Sequence, residues 1–348
     1  MGAAATPPGV PAVQRQVLLA QRPVGLPGDE VWSHVETPVP ACPEGGIQVR
    51  VEWLSLDPAM RGWMNDVRSY IPPVQIGEVM RAGGVGRVIA SRTPRWAVGD
   101  AVSGLLGVQQ VATLDAQALP GAGLAAVDLG LAPAPKWLNA LGMPGMTAYF
   151  GLLDVGRPQP GETVVVSGAA GAVGQTVGQV AKIHGCRVVG IAGGADKCRF
   201  VVETLGFDAC IDYKGGSVKD GLKAHCPKGV DVYFDNVGGD ILDAVLARLA
   251  RKARVVICGA ISQYNATGAV QGPANYLSLL VNRARMEGMV VFDYAERYPE
   301  AVQAIAGWMR EGRFESREDV VEGLARFPEA LRMLFDGRNF GKLCLRVD

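Results

Sequence analysis

The chain has 348 residues, 49% of them hydrophobic, enough to bury two cores of ordinary size, and this length favours two domains over one. Lysine plus arginine equal aspartate plus glutamate at 34 each, so no global field exists to draw in a nucleic acid or an anionic membrane. Neither class of partner is expected.

The N-terminal "MGAAATPPGVPAVQRQ" lacks the positive start and apolar core of a signal peptide, and every apolar window is interrupted by charge or proline before it reaches a spanning length. A cytoplasmic protein with a disordered tail over residues 1–12 is expected. Met1-Gly2 with Thr6 formally matches a myristoylation pattern, but an alanine-rich tail accounts for the same residues. Asn265-Ala266-Thr267 is a glycosylation sequon without a secretory context. Seven cysteines, at 42, 186, 198, 210, 226, 258 and 344, form no closely spaced pair and read as reduced thiols.

From Gln14 to Leu119, short apolar runs alternate with glycine and proline, as in "GGIQVRVEWLSLDP", "GGVGRVIAS" and "VGDAVSG". This texture predicts a compact β-rich domain over 13–136. "LGMPGMTAYFGLLDVG" then reads as a helix leading out of it. Over 137–312 the rhythm changes. Val164–Ser167, Arg187–Ala192, Ala209–Asp212, Val230–Asp235, Arg254–Cys258 and Met286–Phe292 read as strands, with helical patterns such as Val173–His184, Lys197–Leu205 and Asp240–Leu249 between them. Strands separated by helices imply right-handed crossovers and a doubly wound parallel sheet of the Rossmann type. The fold class is therefore α/β. Residues 313–348 end in "RNFGKLCLRVD", an alternating strand that suits the first domain better than the parallel sheet.

The stretch "VVVSGAAGAVGQTVGQVAK", Val164 to Lys182, runs from a strand through a glycine turn into a helix. Gly168, Gly171 and Gly174 fall three apart, and small Ala169, Ala170 and Ala172 leave room for a pyrophosphate at the helix N-terminus. A ligand-free tight turn is the competing reading; the alternating layout weighs against it. An acid at the tip of the second strand would select NAD, yet "GIAGGADKCR" has no carboxylate there. Lys197 and Tyr213 each suit the extra phosphate of NADP, and each alone is equally well explained as a surface residue. With the missing acid they tip the choice to NADPH.

A catalytic zinc needs three cysteine, histidine or carboxylate ligands. Where an alcohol dehydrogenase of this architecture would carry glycine-histidine-glutamate, this chain has Ile76-Gly77-Glu78, and only His34, His184 and His225 exist elsewhere. No metal site is expected.

The runs "LSLDPAMRGWM", "SYIPPVQIGEVMRAGGVG", "GMTAYFGLLDVGRPQPGETVVVSGAAGAVG", "YFDNVGG", "CGAISQYN" and "MEGMVVFDY" resemble the zinc-independent branch of the medium-chain dehydrogenase/reductase superfamily. More narrowly, they are similar to the leukotriene 12-hydroxydehydrogenase/prostaglandin reductase group, which includes plant double-bond reductases and bacterial curcumin reductases. The resemblance implies a GroES-like catalytic domain, completed by the C-terminal strand, beside a Rossmann domain that binds NADPH. It also implies reduction of the carbon–carbon double bond of an α,β-unsaturated ketone or aldehyde, commonly by a homodimer. By the same resemblance, Gly171, Ala172, Val173 and Gly174 cradle the pyrophosphate, and Lys197 and Tyr213 take the adenosine 2′-phosphate. Asn236 lies beside the cofactor, and Cys258, Gly259, Ala260, Ile261, Ser262, Gln263 and Tyr264 line its nicotinamide side. Met289, Val290 and Val291 contribute backbone there, and Asn339 reaches in from the tail.

Without a metal, the enolate oxygen formed by hydride addition needs a neutral donor. Tyr264 in "SQYN" is the candidate: a phenol with an ordinary pKa of about 10 is protonated at neutral pH. Packing on the cofactor is its competing role. Plant members commonly carry tyrosine where this chain has Ala59, and relatives often have tryptophan after the glycine of "GVQQV", so the substrate pocket is reshaped. Trp63, Met64 and Tyr70 are nearby in sequence, with core packing as their default role. The rival functions are an NADPH-dependent alcohol or quinone oxidoreductase and a non-catalytic NADPH-binding sensor.

Overall fold

The computed structural model describes residues 9–348, so the first eight residues of the expected tail lie outside the described residues. The chain forms two compact units: one takes residues up to Leu138 with Asp319–Asn339 and Leu343–Asp348, the other Asn139–Glu318 with Phe340–Lys342.

In the first unit, β1 (Val13–Leu19) pairs antiparallel with β2 (Trp32–Pro38). The remaining early strands are β3 (Ile47–Ser55), β4 (Gly83–Ser91), β5 (Ala101–Leu105), β6 (Val111–Leu114) and β7 (Ala125–Ala126). With β14 (Glu318–Glu322) and β15 (Lys342–Arg346) they make a seven-stranded sheet ordered β14-β15-β3-β4-β5-β7, with β6 also on β3. The alternation of β3 sends Ile47, Val49 and Val51 into the core and leaves Arg50 exposed. Gln48 is buried too, and its amide is satisfied by donating to Pro40 O at 2.6 Å and Thr113 Oγ1 at 3.2 Å. The C-terminal strand closes this sheet, with Leu345 opposite Leu54. Trp63 and Met64 are core residues, whereas Tyr70 is exposed. This is the GroES-like half of the molecule.

The second unit carries β8 (Thr163–Ser167), β9 (Arg187–Ala192), β10 (Ala209–Asp212), β11 (Val230–Asp235), β12 (Leu249–Ile257) and β13 (Arg285–Gly288). They form a six-stranded parallel sheet in the order β10-β9-β8-β11-β12-β13. Val164, Val165 and Val166 are fully buried, because a parallel strand with helices on both faces has no solvent side. The strand order reverses between β8 and β11, and a doubly wound sheet binds its ligand outside the carboxyl ends at such a switch point.

Two strands depart from the sequence expectation. β12 starts at Leu249 rather than Arg254, and its register on β11 shifts between Val230 and Val232, so Ala250–Ala253 bulge out. β13 stops at Gly288, and Val291–Arg297 is a 3₁₀-helix instead of more strand. Its neighbour β12 ends at Ile257, opposite Gly288, so of the apolar "MVVF" only Met289 N–H finds a further sheet bond, to Ile257 O, and the rest has no ladder to join.

Candidate active site on the parallel sheet

The glycine turn follows β8. Gly168 has φ +62°, where a side chain is strained, and Gly171 N–H donates back to Gly168 O at 2.9 Å. The helix Ala172–Ile183 then starts from Gly171 with no side chain capping it. Its first-turn N–H groups, on Ala172, Val173 and Gly174, lack carbonyls one turn back, so they present donors and a positive dipole end to an anion. A Cβ on Gly174 would sit 2.2 Å from Gly168 O and 2.8 Å from Ala169 Cα, so only glycine lets the helix seat on the turn. At Gly171 an added Cβ would press on Gly168 O at 3.1 Å and meet no other atom within 4 Å, so the face is open apart from that one tight contact. These donors and this open face fit the diphosphate of a dinucleotide.

The second strand ends at Ala192, followed by Gly193 and Gly194. A Cβ on Gly193 would meet Tyr213 Oη at 2.7 Å, so the phenol, 44% exposed, lies on the glycine at the strand tip. The carboxylate in this neighbourhood, Asp212, accepts from Gly194 N–H at 2.7 Å and Lys214 N–H at 2.9 Å, and these bonds hold its pKa below the usual range. Lys197 stands in the first turn of the helix Ala195–Glu203.

The reduced state expected for all seven cysteines is corrected here. Cys198 on that helix and Cys210 on β10 are paired as a disulfide with their Cα atoms 5.2 Å apart. Packing of the helix over β10 brings together two residues that are 12 apart in sequence, which their spacing did not reveal.

At the switch point, Asp235 ends β11 and is buried. Its Oδ1 accepts from Ser167 Oγ at 3.0 Å, Tyr233 Oη at 2.8 Å, Val237 N–H at 2.9 Å and Gly238 N–H at 2.9 Å. Asn236 is fixed by donating its Nδ2 to Ser167 O at 2.7 Å and its N–H to Ser167 Oγ at 2.9 Å. Burial first, then the Asp235 charge, pushes the Tyr233 phenol well up and the Cys258 thiol up to about 12, so both stay protonated. Asp235 O accepts from Cys258 and Gly259 N–H at 2.9 and 3.1 Å, Asn236 O from Ile261 N–H at 3.3 Å, and Val237 O from Ser262 N–H at 3.2 Å. The loops after β11 and β12 are thus stitched together. Tyr264 folds back over the second loop, and its Oη accepts from Ala260 N–H at 3.2 Å. A Cβ on Gly259 would reach that Oη at 2.8 Å, so glycine makes room for the phenol.

Met289 N–H donates to Ile257 O at 3.2 Å, which continues the sheet one bond past β13. The Val290 and Val291 carbonyls accept from Asp293 N–H and Tyr298 Oη. The sheet therefore gathers Gly171–Gly174, Asn236, Cys258–Tyr264 and Met289 at the carboxyl ends of its strands, with Lys197 and Tyr213 past β9 and β10. Asn339 belongs to the first unit. Ser167, Tyr233 and Asp235 went unnoticed in the sequence; an acid closing an apolar strand, as in "VYFD", is the signal that a buried carboxylate is being used. Among the described residues no three His, Cys, Asp or Glu side chains gather as a metal would require.

Residues 15–121 match the family described as the N-terminal domain of oxidoreductase, and residues 172–307 match the one described as zinc-binding dehydrogenase. The NADPH-dependent curcumin reductase of Escherichia coli (strain K12) is 45% identical over 340 residues, covering 96% of each chain. The chain belongs to the medium-chain dehydrogenase/reductase superfamily, within its curcumin reductase and prostaglandin reductase group. A 2-alkenal reductase (NADP(+)-dependent) of Nicotiana tabacum is 38% identical and covers 96% of this chain and 97% of its own. The crystal structure of CurA in complex with NADPH from Vibrio vulnificus superposes with TM-score 0.89 at 41% identity, covering 96% of this chain and 99% of that one.

Proposed function

We propose that this oxidoreductase uses NADPH to reduce the carbon–carbon double bond of α,β-unsaturated ketones and aldehydes, with Tyr264 as the catalytic donor. The family relationship to curcumin and 2-alkenal reductases supports the reaction class. The observation that carries the role of this chain's own residues is the Tyr264 hydroxyl, held by Ala260 N–H on the loop stitched to Asn236. Bound NADPH supplies hydride to the β-carbon of the enone. Negative charge then develops on the substrate carbonyl oxygen, a neutral phenol donates a hydrogen bond to it without a metal, and a proton taken from water at the α-carbon completes the reduction. Accepting from Ala260 N–H uses an oxygen lone pair of the phenol and does not consume its proton.

In the same reading, Gly171 to Gly174 hold the pyrophosphate, Lys197 and Tyr213 bind the 2′-phosphate, and Asn236, Cys258 to Gln263 and Met289 to Val291 flank the nicotinamide. Asn339 and the catalytic domain over 13–136 and 313–348 complete the enzyme. A homodimer fits the exposed edge of β13 and the apolar side chains beside it, Leu280 and Val281, which are 75% and 66% exposed. No helix among the described residues is long and apolar enough to cross a membrane. A cytoplasmic setting, where NADPH is kept reduced, suits this reading.

The test follows NADPH absorbance with short alkenals, long enones and diarylheptanoids, for wild type and Tyr264→Phe. The variant is expected to lose about 10²-fold in kcat, the scale of one oxyanion donor. Equal kcat on every substrate would remove Tyr264 from the mechanism. Turnover of quinones or secondary alcohols with none of enones would replace the reaction class.

A further inference from the structure

The parallel sheet has a second end. At the amino ends of its strands, opposite the cofactor loops, lies a depression of about 360 Å³ lined by Arg157, Lys252, Ala253, Arg254, Arg283 and Arg285. Five of its six lining residues are cations, in a chain whose net charge is zero. Glu162 is paired with Arg254, and Glu287 Oε2 lies 3.7 Å from Arg285 Nε, so five cations less two carboxylates leave a net charge of +3.

The backbone sets these residues apart. Among the described residues, nineteen glycines have positive φ, and only three other residues do: Arg157 at +48°, Lys252 at +63° and Arg283 at +50°. All three are cations and all three line this depression. Arg157 follows the short helix Gly151–Gly156 and Arg283 the short helix Ser278–Asn282, each in the left-handed position where glycine or asparagine is usual, and Lys252 sits in the β12 bulge. Glycine would hold each turn with less strain, so the fold keeps a charged side chain where the backbone favours none.

The donors divide into two sets. Arg254 donates to Gly156 O and Arg157 O, each at 2.8 Å, and Arg285 donates to Val155 O, so these two guanidinium groups close the carbonyls at the end of the helix Gly151–Gly156 and its cap. Arg157 spends only Nε, on Asp154 O at 2.7 Å, and Arg283 only Nη1, on Val281 O at 2.9 Å. The remaining guanidinium nitrogens of both, and Lys252 Nζ, have no hydrogen-bond acceptor among the described residues. A single carboxylate would satisfy one of these heads; a diphosphate carries several charges and enough oxygens to engage all three. The lining contains no aromatic ring on which a base would stack.

We propose that this depression binds a compact polyanionic phosphate through Arg157, Lys252 and Arg283, either free pyrophosphate or the diphosphate of a nucleotide. The site is separate from the cofactor loops and does not depend on the reaction assigned to them.

The test uses the whole enzyme with saturating NADPH, so that the glycine turn is filled, and measures Tm and Kd with inorganic pyrophosphate and with ADP. Wild type should be stabilised by pyrophosphate, and less so as salt is raised. Each of Arg157→Gly, Lys252→Gly and Arg283→Gly should weaken pyrophosphate about tenfold. The triple variant should lose the ligand-induced shift, keep wild-type turnover, and melt about 2–4 °C higher without ligand because the strain is gone. Equal Kd for ADP and pyrophosphate would identify free phosphate chemistry as what is read; tighter ADP would identify a nucleotide. Absence of a shift in wild type, or an unchanged Kd in the triple variant, would overturn the proposal. Loss of dimer in the triple variant with no response of wild type to either anion would overturn it too, and would assign the cations to carboxylates of a second copy.

Discussion

Gly174 and Gly171 should fail in different ways when each becomes alanine. The added methyl at Gly174 would lie 2.2 Å from Gly168 O and 2.8 Å from Ala169 Cα, both backbone atoms that no side-chain rotation can move. Helix and turn must separate by about 1 Å, an overpacking of about 2 kcal/mol. For a unit built on residues 139–318 this lowers Tm by about 4–8 °C. At Gly171 φ is −84°, which alanine adopts, and the one close atom, Gly168 O at 3.1 Å, needs to give by only a few tenths of an ångström, so Tm should fall by less than about 2 °C. That methyl instead occupies the open face over the helix N-terminus and should weaken NADPH about tenfold. Thermal melts without cofactor, followed by fluorescence titration with NADPH, separate the two effects. If Gly171→Ala melted as early as Gly174→Ala, or bound NADPH as tightly as wild type, the division between a packing glycine and a cofactor glycine would be wrong.

Asp235→Ala leaves Ser167, Tyr233, Val237 and Gly238 donors without their acceptor and should cost about 3 kcal/mol or more in a urea titration; a loss below about 1 kcal/mol would mean the network is dispensable. Lys197→Ala should weaken NADPH about tenfold while leaving NADH unchanged, read from the two Kd values. Burial pushes the Cys186 and Cys226 thiols up to about 11, so above pH 9 the unfolded chain ionises before the folded one. Their contribution is therefore complete below pH 9 and lost as pH rises to about 11, about 2–3 kcal/mol for each thiol. Urea midpoints across that range should fall for wild type and fall less for Cys226→Ala.

Local pattern carried much of this molecule. β9, β10 and β11 occupy the residues that their apolar runs predict, because a buried parallel strand is a short continuous hydrophobic segment bounded by polar loops. The strand-turn-helix around Gly168 to Gly174 was legible for a related reason: its glycines are demanded by contacts within a few residues. The family motif singled out Tyr264 as the candidate donor, but nothing in the sequence showed that Ala260 N–H donates to its hydroxyl.

What lay beyond the sequence depends on partners distant along the chain. "MEGMVVF" has the composition of a strand, but whether it pairs beyond Gly288 is decided by where β12 ends. Asp235 receives Ser167, 68 residues away, and Cys198 meets Cys210 only because a helix lies on a neighbouring strand. Arg157, Lys252 and Arg283 are ordinary cations in sequence and become one site only when two helix ends and the β12 bulge come together. Hydrophobic periodicity and glycine sterics act over a few residues and can be read from the order of the chain. Which polar groups share a buried space, or face one another across it, is decided by the assembled sheet.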